Sequence, residues 1–314
     1  MSNERVTLSV DGHVAHVRLN RPDKRNGLDP ALFQALVEVG RRLRTEPGVR
    51  AVVLAGEGPA FCAGLDFQAF LQTPNAKELL LERPADRPAN LAQEVAWIWR
   101  EVPVPVIAAI HGACFGGGLQ IALGADLRLC TPDAKLCVME IEYGLVPDMS
   151  GSVTLLELLP LDVAKELTFT GRVFDGNEAK QLGLVTRVVD DPIAAATELA
   201  RAIAARSPDA IRGSKALLDR APRLSVREAF ALESELQVAL LGSPNQVEAV
   251  MARLQKRAAI FRDPPPSPPA SPPASTTTSP PASTTPASPP ASTTTPASPP
   301  PAPATPPVGE TDPS

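Results

Sequence analysis

The chain has 314 residues, of which 36 are Pro, and its formal net charge is −5 at pH 7. A charge so close to neutral argues against a strong generic attraction to nucleic acid or to an anionic membrane surface. No apolar run approaches the roughly 20 residues that a membrane-spanning helix needs. Neither nucleic acid nor a membrane is therefore expected as a partner.

The prolines are concentrated at the C-terminal end of the chain. Twenty of them fall within residues 264–314, a segment that has no aromatic residue and only Glu310 and Asp312 as charges. Such a composition cannot bury enough apolar surface to fold. We predict a disordered Pro/Ala/Ser/Thr-rich tail at 264–314, which serves as an extended linker or, alternatively, as a PxxP docking segment.

The first elements are predicted from local signals. Apolar residues alternate over 6–19 and are interrupted by Asp11 and Gly12, which predicts a β-hairpin. Asp29 is a good N-cap and is followed by Pro, so a helix is expected from there to about Arg44.

Strands and helices are then predicted in alternation. The predicted strands are 49–55, 104–110, 126–130, 136–139 and 184–189. The predicted helices are 91–100, 119–123, 152–159, 163–169 and 176–183. The polar, Pro-interrupted segment 72–87 is expected to be a mobile loop, and 193–261 is helical almost throughout. This order predicts an α/β fold with a helical C-terminal region.

The four cysteines carry no CxxC pair and no metal-ligand spacing, so buried free thiols in a reducing compartment are expected. The alternation that starts at Val6 leaves no room for a cleavable signal peptide, which favours a cytoplasmic protein. The chain also lacks a GxGxxG fingerprint, a Walker lysine, an HExxH zinc motif and a GxSxG elbow.

Two turns made of very small residues are the strongest candidates for chemistry. One spans 60–66 and the other 114–118, and each follows a predicted buried strand. Small residues let a ligand approach the backbone, and N–H groups at helix starts favour negative charge. Each turn alone is explained by tight-turn glycine, but two turns facing one point would form an oxyanion hole.

Acidic residues follow these turns. Glu142 is interpreted as a solvated charge. Glu140 comes directly after a short strand, and Asp148 lies in a loop that enters a helix. Asp148 is therefore either a helix N-cap or a functional acid.

Several motifs stand in a fixed order along the chain. They are Arg-Pro-Asp-Lys-Arg-Asn-Gly-Leu (21–28), Phe-Cys-Ala-Gly-Leu-Asp (61–66), the Gly-rich segment 107–122 followed by Asp126, Glu-Ile-Glu-Tyr-Gly-Leu-Val-Pro (140–147), and 170–185 with its Thr-Gly-Arg start. In order and spacing they resemble the crotonase superfamily of enoyl-CoA hydratases and isomerases. The resemblance covers about residues 6–261, essentially the whole predicted folding unit.

The resemblance implies a fold and an assembly. The fold would be a crotonase-like spiral of ββα units, with two roughly perpendicular sheets, over residues 1–192. A helical region at 193–263 would form homotrimers, often paired into hexamers, and the tail would follow at 264–314.

The resemblance also implies a substrate and a site. The thioester carbonyl of an acyl-CoA would be held by the backbone N–H groups of Ala63 and Gly117. CoA would lie near Lys24, Arg25, Leu65 and Asp66, and Lys256 matches a lysine that reaches the nucleotide end of CoA, often from a neighbouring subunit. No metal and no redox cofactor are implied, because hydrogen bonds stabilise the enolate and CoA enters as part of the substrate.

Gln120 is the most informative departure from the family pattern. Family hydratases use two glutamates, at the positions of Gln120 and Glu140, and a glutamine cannot exchange a proton at neutral pH. Dienoyl-CoA isomerases place a second acid at the position of Asp148, and the third acid that they place at the position of Gln120 is absent here. We therefore predict a double-bond isomerase, of dienoyl-CoA or Δ3–Δ2 enoyl-CoA, with Glu140 and Asp148 as its acid/base pair and Gln120 as a substrate-side residue.

Four other functions use the same framework. An enoyl-CoA hydratase would use Glu140 with Gln120 as a water holder, and a non-catalytic acyl-CoA-binding protein would bind without turnover. Acyl-CoA hydrolysis and decarboxylation would use the same oxyanion hole.

Overall fold

The computed structural model describes residues 5–263, so the predicted tail at 264–314 lies outside the described residues. Strands β1 (Val6–Asp11) and β2 (Val14–Leu19) pair antiparallel and form the predicted hairpin. Helix α1 (Pro30–Leu43) begins where expected, because the Asp29 side chain accepts a 2.8 Å hydrogen bond from the Leu32 N–H.

The remaining elements alternate and then become entirely helical. The strands are β3 (Ala51–Gly56), β4 (Val106–Ile110), β5 (Ala113–Phe115), β6 (Leu127–Cys130), β7 (Lys135–Cys137), β8 (Phe174–Asp175) and β9 (Arg187–Val188). The helices are α2 (Phe67–Leu71), α3 (Ala76–Leu81), α4 (Leu91–Glu101), α5 (Gly117–Leu123), α6 (Gly151–Leu158), α7 (Leu161–Thr170), α8 (Gly176–Leu182), α9 (Pro192–Ala204), α10 (Pro208–Arg220), α11 (Val226–Leu240) and α12 (Pro244–Leu254).

The strands form two sheets. The larger has the order β1-β2-β3-β4-β6-β9 and is parallel after the first hairpin. The smaller has the order β5-β7-β8. Every residue of β3 and β4 is buried, which explains why both strands read as continuous apolar runs. The predicted α/β class is confirmed.

Helices cover both faces of the larger sheet. On one face α1 and α4 contribute Phe33 and Trp99 to the main core. On the other face α9 packs through the small side chains of Ala196, Ala200 and Ala204. Helix α9 is therefore packed directly on the sheet. The boundary that we predict between the spiral core and the helical C-terminal region, at residues 192 and 193, stays a prediction.

Several local expectations differ from the structure, among them α2 and β8, which were not predicted. The segment predicted as a mobile loop contains α3, whose Leu80 packs against the main core. Strand β5 was not predicted, because its three residues become a strand only by pairing with β7. The four cysteines are buried and free, as expected.

Among residues 5–263, no helix combines the length and the apolar character needed to cross a bilayer. The cytoplasmic location stays a prediction.

Candidate active site

The structure brings the two small-residue turns together. Cys62 and Cys114 form a parallel bridge, in which the Phe115 N–H donates to the Cys62 carbonyl at 3.0 Å. Gly64 adopts φ +88°, and a Cβ there would lie 2.9 Å from the Phe115 carbonyl oxygen. Only glycine permits this approach of the two backbones.

Both turns open onto one cavity of about 260 Å³. Gly117 is the first residue of α5, so its N–H has no acceptor inside the helix. Gly117 lines the cavity together with Gly64 and Leu65. This geometry can present backbone N–H groups to an oxygen atom in the cavity.

The predicted role of the Ala63 N–H in the oxyanion hole is corrected by a hydrogen bond that this N–H makes within the protein. The Ala63 N–H donates to the carbonyl oxygen of Arg25 at 2.9 Å, so it is already occupied within the protein. In a trans peptide the carbonyl and the N–H point in opposite directions. Because the Cys62 carbonyl points toward β5, the N–H of Ala63 points away from β5.

Leu65 is the residue whose N–H is available instead. The Gly64 carbonyl accepts from the Leu28 N–H at 2.8 Å, so the Leu65 N–H of the same peptide points away from Leu28. Within residues 5–263 this N–H has no hydrogen-bond acceptor. The sequence signal of small residues located the turn but did not indicate which peptide faces the cavity.

Glu140 lies at the polar end of the cavity. It begins a 3₁₀ helix (Glu140–Tyr143) directly after β7 and is buried. Burial raises the pKa of its carboxyl group, and the nearby Asp148 raises that pKa further, while a hydrogen bond from Gln120 opposes the shift. Among the described residues, its Oε2 has no hydrogen-bond partner although it is buried. This oxygen is therefore available to a ligand.

Asp148 lines the same cavity from the loop before α6. Partial burial raises the pKa of its carboxyl group, although the residue as a whole remains solvent-exposed at the cavity edge. The N-cap of α6 is Ser150, which makes no side-chain cap bond. The N-cap of α6 is therefore not Asp148, and Asp148 is one of the residues that line the cavity.

Gln120 lies behind Glu140 and does not line the cavity. Its Nε2 donates to Glu140 Oε1 at 2.6 Å, and its Oε1 accepts from the N–H groups of Met149 at 2.9 Å and Gly151 at 2.8 Å. Two N–H donors facing one atom identify that atom as the amide oxygen. Both lone pairs of this oxygen are therefore used within the protein, so a water held by Gln120 would have to accept from the second N–H of Nε2.

The rest of the cavity wall is mostly apolar. Phe70 packs edge-on against Phe33 with ring centroids 5.8 Å apart, and Phe67 lies 4.2 Å from the ring of Tyr143. Leu80 of α3 completes this side. This wall was not predicted from the sequence, in which its signal is the set of apolar side chains Phe67, Phe70, Leu80 and Leu81. An apolar chain can therefore lie beside the two carboxyl groups.

Four other predicted contact residues lie outside the cavity wall. Asp66 accepts from Arg21 Nη1 at 2.7 Å and caps α2, so its carboxylate holds the turn in place rather than a ligand. Lys24 and Arg25 are exposed on the loop after β2, and Lys256 is exposed after the end of α12. Their contacts with CoA stay predictions.

Residues 5–263 hold no group of three or more His, Cys, Asp or Glu side chains arranged to bind a metal ion.

Comparisons with known proteins identify the family to which the chain is similar. A family model described as enoyl-CoA hydratase/isomerase matches residues 10–264. The chain is 34% identical over 267 residues to the mitochondrial Delta(3,5)-Delta(2,4)-dienoyl-CoA isomerase of Rattus norvegicus, which covers 79% of each protein. It is 30% identical to an enoyl-CoA hydratase of Mycobacterium tuberculosis, covering 80% of this chain and 94% of that protein.

A solved structure of an enoyl-CoA hydratase from Bacillus anthracis superposes with a TM-score of 0.75 at 27% identity. The superposition covers 82% of this chain and 98% of that one. The likeness confirms the expected crotonase-like fold.

Proposed function

Since the chain belongs to the enoyl-CoA hydratase/isomerase family, we propose that this enzyme is a double-bond isomerase that converts a 3,5-dienoyl-CoA thioester to its 2,4-dienoyl isomer. One observation carries the proposal: Glu140 and Asp148 both face the apolar cavity, whereas a neutral amide, Gln120, stands where a hydratase needs a second carboxylate. The similarity to a dienoyl-CoA isomerase of Rattus norvegicus supports the same reaction.

The proposed reaction moves one proton and two double bonds. One carboxylate removes a proton from the α-carbon, and the electron pair of that C–H bond moves into the conjugated chain. Negative charge then collects on the thioester oxygen, where the N–H groups of Leu65 and Gly117 stabilise it. The other carboxyl group donates a proton to the sixth carbon, and the double bonds close at the 2,4 positions.

The environment of the two acids suits this exchange. An efficient acid or base has a pKa near the working pH, and ordinary carboxyl groups lie well below neutrality. The raised pKa values of Glu140 and Asp148 bring both groups closer to that condition. The apolar wall also excludes water that would compete for the dienolate.

The assembly is part of the proposal. Helices α11 and α12 expose large apolar side chains, among them Phe230, Val238 and Leu254, which are 62%, 72% and 73% accessible in the single chain. Such a surface favours association. We propose a homotrimer or a hexamer in which Lys256 contacts the CoA of a neighbouring subunit. Light scattering after gel filtration measures the mass directly, and a monomer at micromolar concentration would contradict this assembly.

The deciding experiment incubates the full chain with a panel of CoA thioesters in heavy water. We expect 3,5-dienoyl-CoA to be converted to the 2,4-isomer with deuterium at the sixth carbon, as read by mass spectrometry. Crotonyl-CoA should be hydrated slowly by comparison. Rapid hydration without isomerisation would establish the hydratase alternative, and binding without any turnover would establish a non-catalytic acyl-CoA-binding protein.

A further inference from the structure

Two aromatic rings meet at the solvent side of the cavity. Phe67 begins α2 and Tyr143 ends the 3₁₀ helix, and their ring centroids are 4.2 Å apart with an angle of 34° between the rings. Both residues line the cavity. Phe67 is half-buried, whereas Tyr143 is 54% exposed. Rings this close are in van der Waals contact, so neither water nor an acyl chain can pass between them.

The ring pair connects the two segments that carry the proposed chemistry. Phe67 lies two residues after Leu65, whose N–H belongs to the proposed oxyanion hole, and Tyr143 lies three residues after Glu140. Among residues 5–263, no hydrogen bond and no ion pair joins α2 to the 3₁₀ helix, and the Tyr143 hydroxyl has no hydrogen-bond partner. The two rings can therefore separate without breaking a hydrogen bond.

Both elements that carry the rings are loosely packed. Helix α2 has five residues, and none of them is buried. Gly144 follows Tyr143 at φ +67°, and a Cβ at this position would meet no atom within 4 Å. Leu145 and Val146, next along the chain, are exposed. Segments with so few buried contacts move at a low cost in free energy.

We propose that Phe67 and Tyr143 form an aromatic gate, which is closed in the free enzyme and opens when an acyl thioester enters the cavity. The inference rests on the acyl-CoA substrate of the proposed function but not on isomerisation. It assigns the two rings to the binding step, because only the fraction of molecules with an open gate can bind. While it is closed, the gate also limits the entry of water to the catalytic end of the cavity.

The alternative role is a fixed wall, and the two roles predict opposite changes in binding. If the rings are only a wall, replacing either one by leucine removes a contact with the bound acyl chain, so the complex dissociates faster and is weaker. If they form a gate, the same replacement removes a contact that exists only in the free enzyme. Association then becomes faster and binding tighter, by about two- to tenfold for an aromatic pair of ordinary strength.

The test measures binding without turnover. Surface plasmon resonance with the immobilised full chain and hexanoyl-CoA, a saturated thioester that cannot isomerise, gives both rate constants. For Phe67→Leu and Tyr143→Leu we expect the association rate constant to rise about two- to tenfold, with the dissociation rate constant little changed. Because both substitutions remove the same contact, the double variant should associate no faster than either single variant. Unchanged association, or faster dissociation, would overturn the gate.

Phe70→Leu is the matched control. Phe70 lies on the same helix and lines the same cavity, but its ring packs edge-on against the buried Phe33 at 5.8 Å. Its replacement should speed dissociation and leave association unchanged, as for a wall residue. If Phe70→Leu speeds association as much as Phe67→Leu, the effect comes from a loosened α2 and the gate is overturned.

Opening of the gate can also be observed directly, because Tyr143 is the only tyrosine in the chain. Labelling with 3-fluorotyrosine therefore gives one ¹⁹F signal, which senses the neighbouring ring of Phe67. On addition of hexanoyl-CoA this signal should move toward the position that it has in free Phe67→Leu. A signal that stays in place at complete binding would overturn the gate alone. A confirmed gate without isomerisation would reject the isomerase proposal alone, and a chain that binds no hexanoyl-CoA would overturn both.

Discussion

The backbone N–H of Ala63 donates a 2.9 Å hydrogen bond to the carbonyl oxygen of Arg25. This bond joins the turn after β3 to the loop after β2 and removes the Ala63 N–H from any contact with a ligand. The peptide between Gly64 and Leu65 has the opposite orientation. The N–H groups of Leu65 and Gly117 are therefore the ones left to face the cavity. The oxyanion hole is therefore proposed at these two residues.

The Gly117 N–H can be tested by comparing two substitutions. Proline is tolerated at the first position of a helix, and Gly117→Pro removes the donor. We expect turnover to fall by about 10²–10³ relative to Gly117→Ala. Alanine is the matched control, because a Cβ at this position meets the side chains of Met149 and Leu28 in either variant while the N–H remains. Equal rates in two folded variants would remove Gly117 from the oxyanion hole.

The two acids should each be necessary for isomerisation. Glu140→Gln and Asp148→Asn are expected to reduce kcat by about 10²–10⁴, the usual contribution of a general acid or base. Binding of the CoA ester should persist, because the N–H donors are unchanged. Steady-state rates and a direct binding measurement separate these effects. If Asp148→Asn retains the full rate, Glu140 acts alone as in a simpler Δ3–Δ2 isomerase.

The stability of the fold should depend on the charge of Glu140. Burial raises the pKa of this carboxyl group above the ordinary value of 4.5. A carboxyl whose folded pKa is raised stabilises the fold while it is protonated, and this contribution is lost as the pH rises through the folded pKa. Glu140→Gln should therefore be more stable than the unmodified enzyme near neutral pH, by on the order of 1 kcal/mol.

Thermal melting at several pH values checks this prediction. The advantage of Glu140→Gln should shrink as the pH falls below the ordinary pKa of glutamate, because Glu140 is then neutral in both the folded and unfolded states. An advantage that does not change with pH would mean that ionisation of Glu140 has no part in it.

Ser150 is a second place where the site costs stability. It is a non-glycine residue at φ +68°, and its buried hydroxyl has no partner among the described residues. Ser150→Gly should stabilise the protein by about 1 kcal/mol relative to Ser150→Ala, since both remove the hydroxyl but only glycine relieves the left-handed backbone. Chemical denaturation of the two variants measures the difference. Equal stability would show that the backbone here is not strained.

Local patterns were sufficient for most elements of the fold. The hairpin follows from alternation around Asp11 and Gly12, and α1 follows from the Asp29 cap and the proline after it. Strands β3 and β4 were predicted from continuous apolar runs. Such runs are typical of parallel strands that are buried on both faces of a sheet. Strand β5 could not be found this way, because its three residues carry no pattern and depend on β7.

The candidate site also has features that the sequence predicts and features that depend on tertiary contacts. The order of the motifs in the sequence was sufficient to place Gly117, Glu140 and Asp148 near one another. Whether the N–H of Ala63 or of Leu65 faces the cavity was decided only by tertiary structure, because a peptide's orientation is set by its hydrogen-bond partners. For these two residues the partners lie in β5 and in the segment 25–28, far away in the sequence.

The role of Gln120 was decided in the same way. The sequence by itself determined that residue 120 is a neutral amide, and the resemblance to the family's hydratases implies that a glutamate stands there in those enzymes. It did not determine that the amide oxygen already accepts from the N–H groups of Met149 and Gly151 at the start of α6, so that neither of its lone pairs is left for a water. That saturation depends on the left-handed turn at Ser150, 30 residues further along the chain, and such a contact exists only once the chain has folded.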